Sequence, residues 1–284
     1  MLWTKARRSD NVNDTREGKD ARTLTGKTLG AGLAVVVLAG AGLYSTLDTA
    51  PDSPTSPLPP TATALPIAPA EDLQLKFVQS VLGDTEDTWK QLFAQTGRHY
   101  PQPELTLYNN DILSDCGYAS SGSGPFYCPS NQQVYLNLEF FKKLEPHSVI
   151  ADFALAYIIA HEIGHHVQLE LGLSAPFEKA LLDQQPVSGD GGLEVRAELQ
   201  ADCLAGVWAH HAQRRLDWLE PGDIEAALNT AEMLGDDHLQ RSRNAPVRPE
   251  IFSHGTSKQR VNWFKTGFAS GLSEACDTFA TGNL

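Results

Sequence analysis

The sequence predicts an α+β domain, mainly helical and with a small antiparallel sheet, preceded by one transmembrane helix. Three observations lead there. Most of the chain after residue 71 places apolar residues at helical spacing. Short alternating runs cluster between residues 104 and 137. The stretch 28–47 carries no charge at all.

Taken in order, residues 1–27 are polar, with seven basic against four acidic residues. Thr28 to Leu47 is uncharged, and at about 1.5 Å per residue it spans about 30 Å, the thickness of a bilayer core. Lys27 precedes it and Asp48 and Asp52 follow. The positive-inside rule makes 1–27 a cytoplasmic tail and puts everything after residue 48 on the extracytoplasmic side of the cell membrane. A cleaved signal peptide is the alternative, but both the apolar stretch and the segment before it are long for one. Residues 48–70 hold seven of the 17 prolines and read as a semi-rigid stalk. One domain, 71–284, remains.

In that domain, Leu73, Phe77, Val81, Leu82, Trp89, Leu92 and Phe93 mark one face of a helix over 71–97, with a break near Gly83. Glu104–Tyr108, Phe126–Cys128 and Gln133–Asn137 read as strands of a small antiparallel sheet. A short helix is expected over Leu138–Leu144 and a longer one from about Ser148. Further helices are expected over Gly192–Arg215, over Asp223–Leu234 with Gly235 as its C-cap, and over Ser257–Ala269.

The 284-residue chain is 41% hydrophobic and 20% charged, as a globular protein is, and its net charge of -13 lacks the basic footprint of a nucleic-acid binder. No nucleic-acid partner is expected. Four cysteines form no C-x-x-C pair, which argues against a cysteine metal site. Of the three possible connectivities we expect Cys116–Cys128, closing a Gly/Ser-rich loop, and Cys203–Cys276, tying the C-terminus to a long helix. An oxidising compartment after the membrane helix would sustain both.

The chemistry concentrates at His161-Glu162-Ile163-Gly164-His165. The apolar run from Phe153 to Ala160 and the later Val167, Leu169 and Leu171 favour a mostly buried helix. Residues four apart lie about 40° apart around a helix axis, so His161 and His165 point the same way and can share one metal ion. Glu162, one residue along, can reach a water there without ligating. That set suits Zn2+ and hydrolysis: two neutral imidazoles, a carboxylate base and an open position. The competing reading is a helix with two unrelated surface histidines. A third ligand is needed, and the next long helix offers Glu194, Glu198 and Asp202 on one face. One glutamate can ligate, and a carboxylate one turn later can accept the spare N–H of a ligand histidine.

The order H-E-x-x-H followed by E-x-x-x-D resembles the gluzincin, or thermolysin-type, zincin arrangement. The resemblance implies Glu198 as third ligand of one Zn2+ and Asp202 as partner of His161, with Glu194 as the alternative ligand. In that arrangement a histidine from the C-terminal half stabilises the oxyanion, for which His254 is the candidate; the alternative is a loop histidine before a helix with a structural hydrogen bond. The metzincin pattern fails, because Gln168 and Leu171 stand where it needs glycine and histidine. More closely, the chain resembles the bacterial membrane-anchored neutral zinc metallopeptidase family. That resemblance rests on 8–12 (RSDNV), 124–129 (GPFYCP), 161–168 (HEIGHHVQ), 198–203 (ELQADC), 222–228 (GDIEAAL) and 254–260 (HGTSKQR), in order along nearly the whole chain. It departs at the Pro-rich stalk, where members often carry a glycine-rich segment. It implies a zinc-dependent metallopeptidase, an endopeptidase by expectation, acting on a peptide or protein. Two other classes stay open: a non-catalytic zinc-containing binding module at the cell surface, and a zinc hydrolase of a non-peptide amide in the cell envelope. Arg260 reads as a structural ion-pair partner. His166, His210 and His211 read as non-ligands, and His99, His147 and His238 have no partner pattern.

Overall fold

The computed structural model describes residues 1–16, 72–140, 152–280, 282 and 284. The expected membrane helix 28–47 and stalk 48–70 lie outside them. Among the described residues no helix is long and apolar enough to cross a membrane.

The fold is mainly helical with a small sheet, as the spacing of apolar residues indicated. Seven helices are described: α1 (Leu73–Gln95), α2 (Asp152–Leu171), α3 (Ala175–Leu182), α4 (Leu193–Leu216), α5 (Asp223–Met233), α6 (Asp236–Ser242) and α7 (Ser257–Ser270). Residues 138–140 are helical as expected, and the rest of Leu138–Leu144 lies outside the described residues. The short helices α3 and α6 were not anticipated. Neither has the two full turns of apolar spacing that make a helix readable.

Among the described residues six strands form two sheets. β1 (Val12–Asp14), β2 (Glu104–Leu107), β5 (Phe126–Cys128) and β6 (Gln133–Leu136) make one, in the order β1-β2-β6-β5, and β3 (Ile112–Ser114) pairs with β4 (Gly117–Ala119) in a hairpin. The expected antiparallel sheet needs correction. In the four-stranded sheet β1 with β2 and β2 with β6 are parallel and β5 with β6 is antiparallel; the β3–β4 hairpin is antiparallel. Alternation of apolar residues locates strands but carries no information on their direction.

A second correction concerns residues 1–16, which belong to the domain and do not form a separate tail. β1 pairs Val12–Asp14 with Leu105–Leu107. The Leu2 amide donates to Trp218 O, the Ser9 amide donates to Gln79 O, and Lys5 Nζ donates to Leu216 O and Asp217 O. Ser9 Oγ and Asn11 Nδ2 donate to the buried carboxylate of Glu86, which Arg7 also engages. Gly83 does not break α1. A Cβ there would lie 2.5 Å from Arg7 O, so glycine is what lets this strap cross the helix. A single membrane crossing between 16 and 72 would put these partners on opposite faces.

The core joins α1, the sheet and α2, α4, α5 and α7 through one apolar cluster containing Leu82, Trp89, Leu105, Phe153, Tyr157, Trp208 and Phe264. α2 is buried on almost every face, which explains why its sequence is apolar all round. Two close approaches set the helix positions. A Cβ at Gly164 of α2 would lie 2.9 Å from Ala201 O of α4, and one at Gly267 of α7 would lie 1.8 Å from Cys203 O. Gly235 has a similar reason. It does not cap α5 in the left-handed region; its φ is -69° and an added Cβ would lie 2.3 Å from the Ser257 amide.

Both expected disulfides are present, Cys116–Cys128 and Cys203–Cys276. The second ties a 3-10 turn at Ser273–Cys276 to α4.

Candidate metal centre

Because α2 and α4 meet at Gly164 and Ala201, the side chains one turn away on each helix converge. His161, His165 and Glu198 each offer a ligand atom, all within 4.8 Å of one another. His161 Nε2 lies 3.1 Å from Glu198 Oε2, and His165 Nε2 lies 3.5 Å from Glu198 Oε1. The i, i+4 spacings of both helices produce this. Glu194, the alternative ligand, is drawn off by Ser188 Oγ at 2.8 Å and does not join the cluster.

Behind His161 lies a buried charged group. Its Nδ1 is 2.8 Å from Asp202 Oδ1. Asp202 also accepts from the Tyr157 hydroxyl at 2.5 Å and from Arg260, Nε to Oδ2 at 2.8 Å and Nη2 to Oδ1 at 2.9 Å. Burial alone would raise the Asp202 carboxyl, but Arg260 and His161 hold it well below the usual carboxylate range. Arg260 is thus a structural ion-pair partner, as expected, yet one that bears on the site. Tyr157 carried no sequence signal beyond its place in an apolar run.

The donor set fits a cation. With Asp202 at Nδ1 and Glu198 at Nε2, His161 faces an acceptor on each side and must carry a proton on both nitrogens. Burial opposes that charge, yet the two carboxylates push the imidazole up to about 10. Glu198 faces both His161 Nε2 and His165 Nε2, so one carboxylate and two imidazole nitrogens converge as a divalent cation needs. Glu162 is 7% exposed, and burial raises its carboxyl above the ordinary range. A carboxylate destabilised in this way is a better proton acceptor.

His254 is brought to the same cavity. Its Nε2 is 3.9 Å from Glu198 Oε2, and Ser253 Oγ is 2.8 Å from its Nδ1. Asp236 at the start of α6 accepts from the amides of Ser253, His254 and Gly255 and holds the loop. Burial lowers the affinity of His254 for a proton, but Glu198 and Asp236 outweigh it and raise the imidazole. The remaining histidines lie elsewhere. His166 is bonded to Tyr127 and to Pro101 O, and His210 and His211 meet the carbonyls of Phe268 and Gly271 at the end of α7.

The cavity measures about 530 Å³. His161, Glu162, His165, Glu198, His254 and Arg260 lie together in it with Gln168, Ser174 and Glu178 as further polar lining, and Phe126, Tyr127, Leu169, Phe177, Leu181, Leu234 and Leu239 are among its apolar walls. The edge strand β5 forms one wall.

A buried H-E-x-x-H helix, a glutamate from a second helix and a cleft beside them make a candidate metal centre, with the kind of ligand set that zinc hydrolases use. The sequence matches the family described as "Putative neutral zinc metallopeptidase" over residues 1–279, and the chain belongs to that family. It is 40% identical to the uncharacterized protein YpfJ of Escherichia coli, over 98% of this chain and 99% of that one. It is 38% identical to the uncharacterized proteins Mb2605 of Mycobacterium bovis and Rv2575 of Mycobacterium tuberculosis, over 74% of this chain and 73% of each of them. No solved structure matches the chain.

Proposed function

We propose that the protein is a zinc-dependent peptidase that hydrolyses peptide bonds beside bulky apolar residues. The observation that carries this is the convergence of His161, His165 and Glu198 with Glu162 in a cleft with a largely apolar wall. His161, His165 and Glu198 would hold the zinc ion. When bound, zinc lowers the pKa of a water toward about 7 and polarises a carbonyl.

The chain's own residues supply the rest. Asp202 keeps the Nδ1 proton of His161, which leaves Nε2 as the ligating atom. Glu162 accepts the proton of the attacking water and passes it to the leaving amine; its raised carboxyl suits that exchange near neutrality. His254, protonated, donates to the developing oxyanion. The apolar walls exclude water and seat a hydrophobic side chain next to the scissile bond.

Glu162→Gln tests this, because it keeps the shape and removes the base. Zinc stoichiometry should stay near wild type, and cleavage of an apolar-residue peptide library should fall by at least about 10²-fold. Undiminished turnover would sink the mechanism. Equal cleavage at charged and apolar residues would sink the specificity.

The disulfides favour an oxidising, extracytoplasmic location. Because residues 1–16 pack on the domain, both would lie on that same face. In spheroplasts an impermeant thiol reagent should label Asp10→Cys and Lys258→Cys alike. Protection of Asp10→Cys alone would refute this arrangement.

A further inference from the structure

Each metal-ligating imidazole needs an acceptor for its other nitrogen, which fixes the tautomer and the ring orientation. His161 has Asp202. For His165 the partner is an uncharged side chain, Gln168, whose Oε1 lies 2.9 Å from His165 Nδ1.

That contact is local, three residues along α2, but what holds the amide is not. Gln168 Nε2 donates to Ala197 O at 2.7 Å and to Gln200 Oε1 at 3.0 Å, both on α4. Gln200 Nε2 in turn donates to Cys276 O at 2.8 Å, beside the Cys203–Cys276 disulfide. Gln168 and Gln200 are each 2% exposed, so water does not compete for these bonds. The network assigns the amide orientation. With its NH2 group facing two oxygens, only Oε1 is left for His165, so His165 Nδ1 is the donor. Nε2 then carries the lone pair and lies 3.5 Å from Glu198.

We propose that Gln168 is a positioning residue for the metal centre. It holds His165 as the Nδ1–H tautomer and fixes that ring to the backbone of α4 at Ala197, one residue before Glu198. The inference rests on the zinc-site reading above. The carboxamide matters as such: a carboxylate could still accept from His165 but would set its second oxygen against Ala197 O and Gln200 Oε1.

The test measures zinc affinity of the full chain by chelator competition, beside melting of the metal-free protein. Gln168→Leu should weaken zinc binding about 10- to 100-fold. Gln168→Glu restores the acceptor and should bind zinc within about tenfold of wild type while melting lower. Gln200→Leu, which leaves His165–Gln168 intact, should lower melting and move zinc affinity less than Gln168→Leu does. The proposal is overturned if Gln168→Leu binds zinc as wild type does, or if Gln168→Glu falls as far as Gln168→Leu. It is overturned too if zinc affinity in the three variants simply follows their melting temperatures, as a purely structural role requires. If Gln168→Leu fails to fold, Gln168→Glu and Gln200→Leu decide, because affinity that follows their melting overturns the proposal and affinity held in Gln168→Glu supports it. Wild-type protein that takes up no zinc would overturn the metal reading and this proposal together. Uptake by the wild type with unchanged Gln168→Leu would overturn this proposal alone.

Discussion

His161 and His165 sit one turn apart on the same helix and are held by opposite means. Behind His161, one carboxylate is shared by an imidazole, a phenol and a guanidinium, all buried. Behind His165, two carboxamides run from the ring to a backbone carbonyl, with no charge among them. Exposure accounts for the difference. The His161 side chain is 8% exposed and the His165 side chain 20%. In the deeper place, Asp202 needs Arg260 to balance it, since an unpaired buried carboxylate is costly. Nearer the cleft mouth a dipole is enough to orient the ring, and it adds no charge that would compete with Glu198.

Removing Arg260 should break this comparison most visibly. Arg260→Met leaves Asp202 without its guanidinium and should cost about 3–5 kcal/mol in urea unfolding of the metal-free protein. If it costs no more than Gln168→Leu, the charged side is not special. A smaller effect sharpens the comparison through pH. Without metal, His161 is buried yet held charged up to about 10 by Asp202 and Glu198, above its ordinary 6.5. The native state therefore binds more protons than the unfolded chain between those values, and stability falls as pH rises through them. Loss of the charge-assisted bonds should cost about 1.5–3 kcal/mol. Chelated protein should show a falling urea midpoint from pH 7 to 10. The fall should persist in Gln168→Leu, whose replaced side has no titrating group, and disappear in His161→Gln. A flat wild-type profile would count against the doubly protonated His161.

The legible parts of this site were those written within one helix. His161, Glu162 and His165 follow from spacing on α2, and Glu198 and Asp202 repeat the same spacing on α4. Gln168 and Tyr157 lie on α2 as well, but an amide and a phenol in an apolar run have no signature until α4 and α7 are packed against them. Arg260 could be read as an ion-pair partner, but its partner could not. The largest omission was the strap. Its pairing joins Val12 to Leu105, and nothing local in either segment specifies that contact or its parallel sense. Gly83 was misread for the same reason: a glycine needed for a crossing chain looks, in sequence, like a weak point in a helix.

The strap also sets a timetable. Synthesis runs from N- to C-terminus, so residues 2–16 exist well before the partners they bind at Gln79, Leu105 and Trp218. At about 5–20 residues per second, the wait for Trp218 lasts about 10–40 s. Within that interval β1 can pair with β2 once Leu105–Leu107 are made, whereas Leu2 and Lys5 must wait for the end of α4 and Trp218. The first segment to be made can complete its contacts only after most of the domain has been assembled.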